Sequence, residues 1–243
     1  MDNGQEWGIS MKYDIIIVGA GPGGIFSAFE LTKLNSNLKI AIFEAGNPLE
    51  KRKCPIDGVK VKNCIKCPTC AIMNGFGGAG AFSDGKYNIT NQFGGSLYEY
   101  IGKNEAIDLM KYVDEINLAY GGEGTKLYST ADTKIKKMCL ENGLHLLDAQ
   151  VRHLGTDINY IVLENLYNHL KDKVEFFFRT PVEKVEKNDG GSRRLLIRWA
   201  SPAAILYPDR PTPEKLIPAC FPFLQALHRA RTNSPMTYAC SSI

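Results

Sequence analysis

Gly19-Ala20-Gly21-Pro22-Gly23-Gly24 places three glycines at the spacing G-x-G-x-x-G, and Glu44 stands twenty residues past the last of them. These residue types suit the holding of a phosphate ester rather than the breaking of a bond. Gly19 permits a tight turn, Gly21 lets the main chain approach a pyrophosphate, and Gly24 lets a helix pack closely on a strand. A helix opening at Pro22 aims unpaired N–H groups and the positive end of its dipole at the same point, so Pro22, Gly23 and Gly24 form an anion-binding corner. A carboxylate at Glu44 accepts hydrogen bonds from both hydroxyls of an adenosine ribose and repels a 2′-phosphate. Dinucleotide binding is the expectation.

Two further groups of residues carry chemical potential. Asn74 to Lys86 contains five glycines in thirteen residues. Glycine loses more backbone freedom on folding than any other residue, so this density implies main chain lying against something flat or anionic. Phe76, Phe82 and Tyr87 argue against a flexible linker. Immediately before this loop, Cys54, Cys64, Cys67 and Cys70 form C-x9-C-x2-C-x2-C. Four thiolates at turn spacing suit a tetrahedral zinc or an iron–sulfur cluster. Redox-active thiols and unligated packing cysteines are the other two readings. Cys139, Cys220 and Cys240 read as packing or tail residues. His153 and Asp157 suit proton transfer by type, although a structural histidine and a helix cap explain them equally. No catalytic residue is identified.

The elements that position these groups follow from hydrophobic pattern. Behind the polar Asp14, Ile15 to Val18 is a continuous β-branched run, the mark of a strand covered on both faces in a parallel sheet. A helix over Pro22 to about Leu34 and a strand over Leu38 to Phe43 complete a β-α-β start. Ile107, Met110, Val113 and Ile116 form a helical stripe within Glu105 to Tyr120. Asp157 is placed to cap a helix from Ile158 to Leu170 with Ile161, Val162, Leu166 and Leu170 inward. Val174 to Phe178 and Val182 to Val185 read as strands separated by Arg179-Thr180-Pro181.

At 243 residues and 44% hydrophobic content the chain can bury a sizeable core. No apolar stretch reaches the ~18 residues of a membrane span, and Met1 to Ser10 lacks the pattern of a secretory signal. The expectation is a cytoplasmic protein with no membrane partner, Met1 to Ser10 being an N-terminal extension. Lys and Arg number 22 against 24 Asp and Glu in residues 1–191, and 7 against 2 in residues 192–243. The basic excess therefore sits in the tail, and nucleic acid is a poor partner for the body. Past Gly191 lysine gives way to arginine, glycine disappears and prolines multiply. Residues 192–243 read as a frameshifted or fused Pro/Arg-rich end, with a proline-rich surface wrap as the alternative.

The pairing of the first glycine motif with Glu44-Ala45-Gly46 resembles FAD-binding flavoproteins of the glutathione-reductase type. Gly77-Gly78-Ala79-Gly80-Ala81-Phe82-Ser83-Asp84-Gly85-Lys86 and Arg152-His153-Leu154-Gly155-Thr156-Asp157 look like blocks of a family of NAD(P)/FAD-dependent oxidoreductases. The similarity spans residues 11–189, as of a C-terminally truncated member. It implies that Gly19, Gly21 and Gly24 cradle the FAD pyrophosphate and that Glu44, followed by Ala45, holds the ribose. It also implies that Arg52 and the second loop, with Gly77, Gly78 and Ser83, lie beside the pyrophosphate and flavin, and that Val182 passes the adenine. The expected fold is α/β, an incomplete Rossmann-like FAD/NAD(P)-binding domain over 11–191 with a parallel sheet, a Cys-rich insertion at 54–70 and an irregular tail. The expected function is that of an FAD-dependent oxidoreductase acting on a small-molecule substrate or electron acceptor, with NAD(P)H as a possible co-substrate. An NAD-dependent dehydrogenase and a non-catalytic nucleotide- or metal-binding module are the alternatives.

Overall fold

The computed structural model describes residues 13–187 and 193–197. The expected extension at Met1 to Ser10, the tail beyond Ile197, Cys220 and Cys240 lie outside the described residues. The chain divides into two compact units, one made of residues up to Gly78 and from His169 onward, the other of Ala79–Asn168.

The first unit is built on a parallel sheet of β1 (Ile15–Val18), β2 (Ile40–Phe43) and β6 (Val174–Phe177) in the order β1-β2-β6. α1 (Pro22–Leu34) connects β1 to β2. The central strand is β2, so the burial on both faces expected of the first strand belongs to the second. Ile40, Ala41, Ile42 and Phe43 are all at most 2% exposed. β1 pairs only with β2 among the described residues; within it Ile17 alone is buried and Val18 is 43% exposed. β2 also starts two residues later than expected, because Leu38 closes a turn onto Asn35 and Lys39 donates its amide to the Asp14 carboxylate.

Side chains on one side of this sheet stack in layers. Phe43 lies parallel to Phe177 at 4.6 Å between ring centroids, and Tyr13 meets Phe177 edge-on at 6.2 Å. Burying side chains of this size contributes about 1.5–3 kcal/mol each. α1 buries Gly24, Ile25, Ala28 and Phe29. Close helix–strand packing at Gly24 is steric: a Cβ there would sit 2.0 Å from the Gly19 carbonyl oxygen and 3.2 Å from Ile17 Cγ2. β7 (Val182–Lys187) and β8 (Arg193–Ile197) pair antiparallel, one on each side of the change in composition near Gly191.

The second unit holds an antiparallel sheet ordered β3-β5-β4, from β3 (Lys86–Ile89), β4 (Leu127–Ser129) and β5 (Gln150–His153). α2 (Leu97–Ile101), α3 (Lys103–Asn117) and α4 (Thr133–Glu141) lie between these strands in sequence, and a π-turn at Leu118–Gly122 extends α3. α3 does not bury the expected stripe. Ala106, Leu109 and Ile116 face inward together with Asp114, while Ile107, Met110 and Val113 are half-buried. The rotation follows from an ion pair: Arg152 Nε and Nη2 bond the two oxygens of Asp114 at 2.6 and 2.9 Å, both residues being buried. A carboxylate held in this bidentate way must face the strand that carries its partner. α5 (Gly155–Leu170) begins earlier than expected, so Asp157 stands in its first turn rather than at its cap. The Gly155 amide, at φ +77°, bonds the Asp84 carbonyl and sets the entry. Leu163, rather than the 45% exposed Ile161, joins Val162, Leu166 and Leu170 in the interior. No helix of the described residues is long and apolar enough to cross a membrane.

Two measurements check this packing. Gly24→Ala is expected to lower stability by about 1–3 kcal/mol in urea denaturation, the usual range for overpacking, since backbone rather than a flexible side chain blocks the added methyl. His169, packed on the Phe29 ring at 5.3 Å and with Nε2 2.9 Å from Lys173 Nζ, has its pKa lowered by burial and then by Lys173. The unfolded chain then binds a proton there at higher pH than the folded one. The contribution is complete above the ordinary histidine value and is lost as pH falls through the depressed folded value. His169→Gln should show a shallower loss of thermal stability on acidification from about pH 7 to about pH 5 than the unaltered chain.

Candidate functional site: the glycine corner and its buried carboxylate

The end of β1, the start of α1, the end of β2 and the loop 71–78 meet in the first unit. At their centre is the Glu44 carboxylate, 6% exposed. Its Oε2 accepts from the Ala20 amide at 2.7 Å, and its Oε1 accepts from the amides of Gly46 and Gly75 at 2.8 Å each. One side chain thus joins the first glycine motif, its own strand end and the second glycine loop. Ala45 lies half-buried between two of these points. The main chain adds parallel ties: Gly19 N to Phe43 O at 2.7 Å, Gly77 N to Ala20 O at 2.8 Å and Thr180 N to Glu44 O at 2.8 Å.

α1 begins without the usual protection of a helix N-terminus. Its N-cap is Gly21, no side chain caps it, Pro22 occupies the first turn and no acidic residue stands there. The unpaired N–H groups of the turn, and the dipole behind them, therefore remain available to an anion. A Cβ at Gly19 or Gly21 would meet nothing within 4 Å, whereas one at Gly78 would lie 3.2 Å from Gly21 Cα. Gly19 is at φ +97°, which an L side chain rarely adopts.

Arg52, expected together with the second loop beside a pyrophosphate and flavin, turns its guanidinium onto that loop: Nε bonds Ala71 O at 2.9 Å, Nη2 bonds Ile72 O at 2.7 Å, and Nη1 bonds Phe76 O and Gly78 O at 2.7 and 2.8 Å. Burial lowers its pKa, an effect opposed by the charges of Glu44 and Cys70. Arg52 consequently orders the segment 71–78 by its carbonyls. Two glycines to which the sequence assigns no individual role also belong to the site. A Cβ at Gly46 would come within 2.3 Å of Gly75 N, and one at Gly75 within 2.6 Å of Arg52 Cδ and Asn47 O. Their signals were the glycine after Glu44-Ala45 and the first glycine of the second loop.

The remaining expected residues are more scattered. Gly77 and Gly78 join the site through Ala20 and Arg52, but Ser83 belongs to the second unit, exposed, its hydroxyl bonding Gly80 O at 2.8 Å. In that unit the buried Asn159 holds the loop, with Nδ2 on Gly80 O at 2.9 Å and Oδ1 accepting from Tyr87 Oη at 2.9 Å; burial raises the Tyr87 pKa. Val182 packs on the Ala41–Phe43 cluster. His153 and Asp157 are exposed. The proposed metal ligands are not gathered: Cys54, Cys64, Cys67 and Cys70 are free thiols, and among the described residues no three His, Cys, Asp or Glu side chains are grouped to hold a metal. The physical reason is the extended, turn-rich course of the segment, in which Cys64 Sγ accepts from Lys66 N at 3.4 Å in a local turn and Lys66 itself is at φ +52°.

No family model matches the sequence, and no curated protein matches it. Among solved structures, 84% of the chain aligns with 45% of a 3-ketosteroid-Δ4-(5α)-dehydrogenase from Rhodococcus jostii RHA1 at 12% identity and TM-score 0.49. An E. coli quinol fumarate reductase matches 82% of the chain over 32% of its own length, at 13% identity and TM-score 0.45. For adenylylsulfate reductase from Archaeoglobus fulgidus the values are 82%, 29%, 14% and 0.42. All three are oxidoreductases by name, and the chain spans less than half of each.

Glu44→Gln tests the three-way tie. It retains an acceptor but turns a donor toward one of the three amides, removing the charge as well. The expected loss is about 2–3 kcal/mol, as for a charged acceptor replaced and one buried amide left unpaired. Urea denaturation measures it, and a loss below roughly 0.5 kcal/mol, the level of an ordinary surface change, would show that the carboxylate does not hold the loops together.

Proposed function

We propose that this chain is the FAD-binding part of an oxidoreductase and that the adenosine diphosphate portion of FAD lies on the glycine corner. The observation that carries this reading is the uncapped start of α1, with open space at Gly21 and a buried carboxylate beside it. An anion placed there is stabilised by the helix dipole and by the amides of the first turn. Glu44 Oε2 has a single amide partner in the site and so keeps acceptor capacity for a ribose hydroxyl. Its negative charge disfavours a 2′-phosphate. Gly19 and Gly21 supply the close approach, and Gly77 and Gly78, held by Ala20 and Arg52, wall the opposite side.

When bound, the flavin supplies the hydride and electron chemistry. The chain's own residues bind and orient. Arg52 fixes the carbonyls of Ala71, Ile72, Phe76 and Gly78 so that the wall keeps its shape, Glu44 keeps the two glycine segments in register, and Val182 is offered as the main-chain neighbour of the adenine. Ser83 is offered as a contact further along the second loop. The substrate or electron acceptor is a small molecule.

Titration of the protein with FAD, followed by flavin fluorescence and absorbance, tests the reading. Quenching on binding is expected, and Gly21→Ala should weaken binding at least about tenfold, a loss of roughly 1.4 kcal/mol. Its melting temperature should stay unchanged, since the methyl meets no atom of the protein. Affinity for NAD without any response to FAD, or a Gly21→Ala chain that binds FAD as well as the unaltered one, would overturn the assignment.

A further inference from the structure

The cysteine run is left without a task once a metal centre is set aside. Cys64, Cys67 and Cys70 succeed one another at intervals of three, all free, Cys64 exposed and the other two half-buried. Between Cys67 and Cys70 the chain bends at Pro68 and Thr69, and Pro68 fixes its own φ. A C-x-x-C step with an intervening bend suits a disulfide between its ends, because the sulfurs must approach within bonding range without moving distant elements.

Cys70 leads directly into the segment that the buried guanidinium holds. The Cys70 carbonyl accepts from the amides of Met73 and Asn74 at 3.2 and 2.8 Å. Ala71 and Ile72, the next two residues, give their carbonyls to Arg52 Nε and Nη2. The loop then continues to Gly75, whose amide bonds Glu44. A change of covalent state at Cys70 is therefore one residue from the first of these bonds.

We propose that Cys67 and Cys70 form a redox-active dithiol that exchanges with low-molecular-weight disulfides, and that closing it alters the order of the segment 71–78 held by Arg52. The reaction is thiol–disulfide exchange. One protein thiolate attacks a sulfur of the incoming disulfide, whose S–S bond breaks and releases the first thiol. The second protein thiolate then attacks the protein sulfur of the mixed disulfide and displaces the other thiol. Two electrons pass from the protein to the small disulfide, and the two protons of the protein thiols end on the released thiols. This inference does not depend on the FAD reading, because neither the exchange nor its readout requires a nucleotide.

The experiment uses the full chain and oxidised glutathione. After exposure, alkylation and non-reducing tryptic digestion, cleavage after Lys66 separates Cys64 from the peptide carrying Cys67 and Cys70. Mass spectrometry should find that peptide two hydrogens lighter and unalkylated, Cys64 alkylated, and the whole pattern reversed by dithiothreitol. Cys67→Ser should stop at a glutathione adduct on Cys70, while Cys64→Ser should leave the disulfide unchanged. Hydrogen exchange of the 71–78 amides should change on oxidation in the unaltered chain and in Cys64→Ser, and stay constant in a chain carrying both Cys67→Ser and Cys70→Ser, in which neither thiol can react. Full alkylation of both cysteines, a cross-link from Cys64 to either, or a Cys67–Cys70 disulfide that leaves exchange in 71–78 untouched would overturn the proposal.

Discussion

The Glu44 carboxylate bonds three backbone amides drawn from segments 24 and 31 residues away in sequence and from its own strand end. Removing a carboxylate from water is costly, and multiple hydrogen bonds to the charged form offset that cost. Those bonds are available only if Ala20, Gly46 and Gly75 converge. The constraint therefore runs outward from the charge. Glycine at 46 and 75 is one result, because a Cβ at either would strike a neighbouring segment. The central strand β2, fully buried, fixes where the carboxylate stands.

Arg52 is the second half of the same arrangement. A buried guanidinium bonding four carbonyls organises a loop whose one fully buried side chain is Phe76, since its planar donors point in fixed directions. The carbonyls of Ala71, Ile72, Phe76 and Gly78 are drawn toward Arg52 and two of the loop's amides toward Glu44 and Ala20. A glycine-rich segment that would otherwise lose much entropy on ordering is thereby held by opposite charges on its two kinds of backbone group.

The β-α-β start could be read from the chain because each signal was local: an apolar run, glycines at fixed intervals and a proline at the first helical position. The sheet order was not local. Whether β1 or β2 is central depends on where Val174–Phe177 pairs, more than 130 residues later, and the apolar run of β1 carries no trace of that pairing. The face of α3 was likewise decided by Asp114 meeting Arg152, 38 residues away, against a helical stripe of Ile107, Met110, Val113 and Ile116, of which Ile116 alone is buried. The position of Arg52 near the second loop was legible, but its contacts were not. Its partners are carbonyls, which every residue carries, so no residue type marks them in advance.

The start of α1 shows where the fold accepts lower stability. An Asp, Ser or Thr at the N-cap would satisfy one or two amides and add about 1 kcal/mol, and an acid in the first turn would favour the dipole by a few tenths more. The chain has Gly21 and Pro22 instead, with no side-chain cap. It does use caps elsewhere: Asp132 accepts from the amides of Lys134 and Ile135 at the start of α4. Placing the bare terminus beside the one carboxylate that closes both glycine segments leaves donors for an external anion and a fixed acceptor for a hydroxyl in a single corner. A helix end intended only to carry the chain from β1 to β2 would gain from an ordinary cap, and steric demand at Gly24 does not forbid one at position 21, where a Cβ meets open space.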